Sequence, residues 1–161
     1  MPALVMPFHF GIALGVARRA LDEVTVQAIE KSRGPISPSL LVAQGQFQFS
    51  LGKAELELGA ARALAIATLS AAWEQAATGS VPPPAMQAEV RAAASHVTEV
   101  AQRVTTVAFQ SVGGSALFDT NPLQRCFRDI YAAGQHFMMS RSSIQALGQF
   151  KLHRPDANPM L

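Results

Sequence analysis

Apolar side chains recur at intervals of three and four along most of this chain, while the two-residue alternation of a half-buried strand is nearly absent. Four helical segments follow from that period. Over residues 8–31, Phe8, Ile12, Val16, Ala20 and Val24 stand four apart, with Arg18, Arg19, Asp22, Glu23 and Glu30 on other faces, which predicts a first amphipathic helix with that stripe buried. Gly34 and Pro35 end it, because glycine accepts a left-handed terminator and proline cannot continue the hydrogen-bond ladder. Ser37 then supplies a cap and Pro38 a tolerated first residue for a second helix over residues 38–78. Within it Phe47, Leu51, Ala54, Leu58, Ala61, Ala65, Thr68 and Ala72 form one apolar stripe, and Leu56, Ala60, Ala63 and Ala67 form a second. A helix with two apolar stripes must be covered on two sides, which predicts a dimer or tetramer.

The run Ser80, Val81, Pro82, Pro83, Pro84 is a turn, since each proline removes a donor and restricts the residue before it. A third helix over residues 85–112 buries Val90, Ala94, Val97, Ala101, Val104 and Ala108. Gly113 and Gly114 stop it. Asn121 and Pro122 place a good cap before a good first helical residue, opening a fourth helix over residues 122–148 whose buried stripe is Leu123, Phe127, Ile130, Gly134 and Phe137. Residues 149–161 are a tail. Four helices with short connections make an all-α, up-and-down four-helix bundle, and residues 1–161 form a single domain.

Composition narrows the function. With 49% hydrophobic and 15% charged residues the chain is neither disordered nor a bare coiled coil. Thirteen Lys and Arg against eleven Asp and Glu leave a net charge of +2, too little for a nucleic-acid surface. Cys126 stands alone, which points to the cytoplasm, and its place beside Phe127 makes it a packed thiol. The uncharged start of the chain is interrupted by Pro7 and His9 and is short of a membrane span. Trp73 is expected at a bundle end or interface.

The chemistry available is limited. None of His9, His96, His136 and His153 has a Glu three residues before it, as a carboxylate-bridged di-metal bundle requires, and no cysteine pair exists, so no metal site is expected. Gly113, Gly114 and Ser115 lack the later Gly and the Lys of nucleotide-binding loops. They serve either as an ordinary helix terminator or as a place where backbone approaches a ligand closely. On the fourth helix, Arg125, Arg128, Asp129, Gln135 and His136 gather, with Asp129 and His136 two turns apart on one face. Two readings stand: a salt-bridge cluster beside a packed histidine, or a ligand site where an imidazole handles protons near neutral pH.

Taken together, Gly113 to Phe118 (Gly-Gly-Ser-Ala-Leu-Phe), Asn121 to Arg125 (Asn-Pro-Leu-Gln-Arg), Phe127 to Asp129 (Phe-Arg-Asp) and Ala133 to His136 (Ala-Gly-Gln-His) resemble the C-terminal helical domain of acyl-CoA dehydrogenase-like flavoproteins. The resemblance is to the type 2 branch, which holds reduced-flavin-dependent monooxygenases, and it extends over nearly the whole chain. It implies a bundle at the core of a tetramer, supplying one wall of a flavin and substrate site that an upstream helical domain and a β-barrel complete. The flavin, FMN or FAD, would then be held only with those domains present, reduced flavin would come from a flavin reductase, and the isolated chain would be inactive. Dehydrogenases of the family commonly carry a catalytic glutamate after the Arg-Asp pair, whereas this chain has Ala132 to Phe137 without a carboxylate. By similarity to the monooxygenases, His136 would be the catalytic residue, as base toward a phenol-like hydroxyl or as donor to a flavin peroxide. Gly113, Gly114 and Ser115 would lie close to the flavin of the same or a neighbouring subunit, while Arg128 and Asp129, with the capping Asn121, would hold the fourth helix in register. A fragment of an acyl-CoA dehydrogenase oxidising an acyl thioester, and a non-catalytic bundle for assembly, are the alternatives.

Overall fold

The computed structural model describes residues 5–33 and 39–160. Five α-helices, α1 Met6–Glu30, α2 Gly45–Ala77, α3 Pro84–Val112, α4 Pro122–Ala133 and α5 Arg141–Lys151, account for most of it. Helices α1 and α3 run parallel, α2 runs antiparallel to both, and α4 continued by α5 returns along α3. The bundle is therefore up-and-down, as its period predicts, with its fourth member in two pieces.

Helix α3 is the axis of the molecule. It packs against α1, α2, α4 and α5, and Val90, Ala94, Val97, Ala101, Val104 and Ala108 are all buried, as expected. Ala13, Ala17, Ala20 and Ala28 on α1 are buried too, and such small side chains let α1 and α3 pack closely. Each fully buried valine or leucine along this seam contributes about 1.5–3 kcal/mol relative to exposure. On the α3–α4 side, Phe109, Phe127 and Tyr131 stack with ring centroids 4.7 and 4.6 Å apart. At the start of α3, Arg91 is buried and its Nη1 donates to the Pro159 carbonyl, tying the tail to the bundle.

Several expectations are corrected. The buried face of α1 is Met6, Phe10, Ala13, Ala17, Ala20, Leu21, Val24 and Ala28, whereas Phe8 and Ile12 of the expected stripe are 73% and 50% exposed. A stripe in equal steps of four drifts about 40° per step around a helix of 3.6 residues per turn, so a run in register at Val24 has left the core by Phe8. Helix α1 also begins two residues early, because Pro7 sits within its first turn where its missing N–H costs nothing.

Helix α2 begins at Gly45, not at residue 38. The expected stop at Gly34 and Pro35 and start at Ser37 and Pro38 lie outside the described residues. Just after them Ser39–Leu40 pairs antiparallel with Ser32–Arg33, and the Leu41 N–H donates to the Lys31 carbonyl at 2.6 Å. That extended path seats Leu41 in the core before a single 3-10 turn, Leu41–Ala43, leads into the helix. From Phe47 onward the first stripe is buried as expected, with Leu51 half-buried, but the second stripe faces outward, and Leu56 is 77% exposed.

The fourth helix breaks after Ala133. Gly134 caps α4 and lies against the Gln102 side chain, so closely that a Cβ at residue 134 would come 2.2 Å from Gln102 Nε2. The chain then turns until Ser140 opens α5. Met138, not Phe137, enters the core, and Phe137 is 74% exposed.

Candidate functional site

Residues 135–140 form a turn between two helices, pinned from inside. The Met138 side chain is buried, Ser95 Oγ lies 3.5 Å from the Met138 carbonyl and 2.7 Å from Ser143 Oγ, and the Met139 N–H donates to the His136 carbonyl at 2.8 Å. With its neighbours anchored, the His136 side chain projects to the surface. Its Nδ1 accepts the Met138 N–H at 3.3 Å, which places the ring hydrogen of the neutral imidazole on Nε2.

His9, on the first turns of α1, packs its ring against His136 with centroids 4.5 Å apart and planes at 53°. The Phe137 ring lies 4.8 Å from His136 on another side. Burial first, and then the charge of His136, push the His9 pKa below its ordinary value. The exposed side chains of Phe8 and Ile12 on α1 and of Phe137 make the surroundings apolar. The pair is thus two imidazoles in contact on an apolar, open surface.

The second expected cluster is at the other end of the bundle. Gly113 terminates α3 at φ 67°, ψ −148°, a conformation that glycine alone adopts readily. Ser115 Oγ accepts from Lys31 Nζ at 2.8 Å and donates to the Val112 carbonyl at 3.2 Å. Asn121 Oδ1 caps α4 by accepting the Leu123 N–H at 3.0 Å, and its amide pairs with that of Gln27.

Gln27 and His9 are both on α1, eighteen residues apart, which is roughly 27 Å along a straight helix. One chain therefore does not bring His136 together with Gly113, Gly114 and Ser115. Asp129 ion-pairs with Arg125 at 3.5 Å on the exposed face of α4, and Arg128 is exposed beside them. Because α4 ends at Ala133, Asp129 and His136 do not share a helical face, which corrects the spacing argument. His96 lines a separate groove between α2, α3 and α5 with Leu64, Thr68, Ile144 and Leu147. His153 follows α5 in a left-handed conformation. Among the described residues no three of His, Cys, Asp and Glu converge as a metal would need, and no helix is long and apolar enough to cross a membrane. Cys126 is buried, and that burial is the main reason its thiol pKa is pushed up.

The sequence offers His9 as a metal-ligand candidate and a break in the apolar start, and gives no signal for Gln27 or Lys31. No local spacing carries these contacts, since each joins the first helix to the last third of the chain.

The sequence matches the family described as acyl-CoA dehydrogenase, C-terminal domain, over residues 8–141. Indole-3-acetate monooxygenase of Pseudomonas putida is 30% identical over 137 residues, covering 85% of this chain and 35% of that protein. The pigment production hydroxylase of Rhodococcus sp. (strain ATCC 21145) is 27% identical over 154 residues, 93% of this chain and 38% of that one. Among solved structures, XiaF from Streptomyces sp., in complex with FADH2 and glycerol, shares the fold with a TM-score of 0.90 at 20% identity over 99% of this chain and 40% of its own. The chain thus spans between a third and two fifths of these relatives' length.

Proposed function

The chain belongs to the acyl-CoA dehydrogenase C-terminal domain family, and on that footing we propose that it supplies one wall of the flavin and substrate site, and the oligomer core, of a reduced-flavin-dependent monooxygenase acting on a small aromatic substrate. The observation that carries this reading is His136. It stands in a segment with no Asp or Glu from Ile130 to Ser140, so the proton α to a thioester would find no carboxylate there. The two relatives named are a monooxygenase and a hydroxylase.

The donor set fits a partial flavin site. A ligand of that size needs most of its surface enclosed, and the surface around His136 is open, so other polypeptide completes the pocket. A bound reduced flavin would supply oxygen activation. The chain's own part is the Nε2–H of His136, which donates to an electronegative ligand atom while Met138 holds Nδ1. Phe8 and Ile12 on α1 and Phe137 beside His136 are exposed apolar side chains that a ligand or further polypeptide would cover. Gly113, Gly114 and Ser115, with the Lys31 cation on Ser115, are assigned to an anionic portion of a flavin bound elsewhere in the assembly. A separate flavin reductase delivers the reduced cofactor.

The test is a chimera in which this chain replaces the corresponding C-terminal part of indole-3-acetate monooxygenase, assayed with reduced flavin, oxygen and indole-3-acetate. Product formation that falls at least tenfold in His136→Ala, with none from the 161-residue chain alone, supports the reading. Turnover by the chain alone, or a His136→Ala chimera as active as its parent, overturns it.

A further inference from the structure

The contact between His9 and His136 is unusual in that neither ring is needed to close the core. His136 is exposed, Met138 fills the interior in its stead, and His9 sits on the rim of α1. Yet the rings meet at 4.5 Å, beside a turn that is otherwise held through its backbone, through buried Met138 and through Met139, whose Sδ accepts from Thr98 Oγ1 at 3.5 Å. An imidazole on a surface turn has two χ angles free, and an Nδ1 that accepts from a backbone N–H only two residues away is easily lost by rotation. One face of the His136 ring has to be blocked for that bond to persist.

We propose that His9 is a positioning residue for His136: its ring fixes the orientation in which Nδ1 accepts the Met138 N–H and Nε2–H points to the ligand side. The proposal rests on the reading of His136 as the ligand-facing residue, but the geometry it concerns exists in the chain without flavin or substrate. His9 touches no reacting atom in this scheme. It keeps His136 in a single tautomer and rotamer, so that the donor is ready when a ligand arrives, as preorganised sites require. Phe137, 4.8 Å from His136, is adjacent in sequence and moves with the turn, whereas His9 belongs to α1 and supplies a fixed reference.

The experiment is nitrogen NMR of the 161-residue chain labelled at histidine, at pH 8, comparing wild type, His9→Ala and His9→Phe, with circular dichroism to verify that each is folded. Wild type should show His136 as one tautomer, with a protonated Nε2 and a lone-pair Nδ1. His9→Ala should collapse those two signals toward an average, while His9→Phe, which restores a ring at that place, should recover the wild-type pair. A folded His9→Ala chain that keeps the wild-type pattern overturns the proposal, as does a His9→Phe chain that behaves like His9→Ala. A chimera indifferent to His136→Ala would instead sink the functional reading and leave the NMR result standing.

Discussion

The side-chain amides of Asn121 and Gln27 face one another in a reciprocal pair, Gln27 donating to Asn121 Oδ1 at 3.2 Å and Asn121 donating back to Gln27 Oε1 at 3.1 Å. The same Asn121 caps α4 through the Leu123 N–H and donates to the Ser115 carbonyl. One residue thus joins the end of α1, the loop after α3 and the start of α4. Asn121→Ala is expected to cost about 1–2 kcal/mol, the loss of a cap plus an unpaired half-buried amide. Asn121→Asp restores the cap but cannot donate to Gln27 or Ser115, and should recover only part of that loss. Urea unfolding of the three proteins orders them.

Gly113 and Gly114 are neighbours with different demands. A side chain at Gly113 is forced into φ 67°, so Gly113→Ala should lose about 1–3 kcal/mol. Gly114 has open space around its would-be Cβ and no positive φ, so Gly114→Ala should lie within about 0.5 kcal/mol of wild type. Equal losses at both positions would contradict this assignment. For the flavin reading the pair is informative in reverse, because a chimera that tolerates Gly114→Ala in stability and fails in cofactor binding places the close approach at Gly114.

What the sequence makes legible depends on which interactions are local. The α3 stripe was fully readable because Val90, Ala94, Val97, Ala101, Val104 and Ala108 keep near the helical period across the most buried element. The α1 stripe was misplaced because steps of four look helical while drifting off the core. The break at Gly134 was hidden by the glycine's double meaning, as a small packing residue or as a terminator; it is both, and the Gln102 amide that demands a small residue there lies on another helix. His136 stood out among the polar residues near Asp129, its catalytic role came from resemblance to a family, and its Nδ1 contact with Met138 is local. Its contact with His9 is long-range, so no pattern in the chain announces it.

Thr105, on α3, is fully buried, and its Oγ1 has no hydrogen-bond partner among the described residues. A buried hydroxyl left unpaired costs about 1–3 kcal/mol. Thr105→Val keeps the shape and the β-branch while removing the polar atom, so it should raise stability by about 1 kcal/mol. A fall of similar size in the urea midpoint would mean that the hydroxyl is bonded after all.

The outward stripe of α2 carries Leu56, Ala60, Ala63 and Ala67, and a face of that kind on a helix roughly 50 Å long is the proposed oligomer contact. Leu56→Glu together with Ala63→Glu should leave helicity and monomer stability within about 0.5 kcal/mol, since both side chains are exposed in the single chain. Light scattering should show the assembly mass dropping to that of one chain. An unchanged mass would remove α2 from the interface.

His9 gives the chain a pH dependence whose sign follows from its surroundings. Its pKa is lowered in the folded state, by burial first and by the His136 charge second, relative to an ordinary value of 6.5. Above about that pH the ring is neutral in both states and costs nothing. As the pH falls below it, the unfolded chain takes up a proton before the folded chain does, so stability rises with pH across the window and is lost as the pH drops through the folded value. Unfolding free energies measured between pH 7.5 and pH 5 should therefore decline toward acid. His9→Asn, which cannot protonate, should flatten this part of the slope, whereas His136→Asn removes only the lesser cause and should reduce it without abolishing it. If His136→Asn flattens the slope as fully as His9→Asn does, charge repulsion and not burial governs the pair.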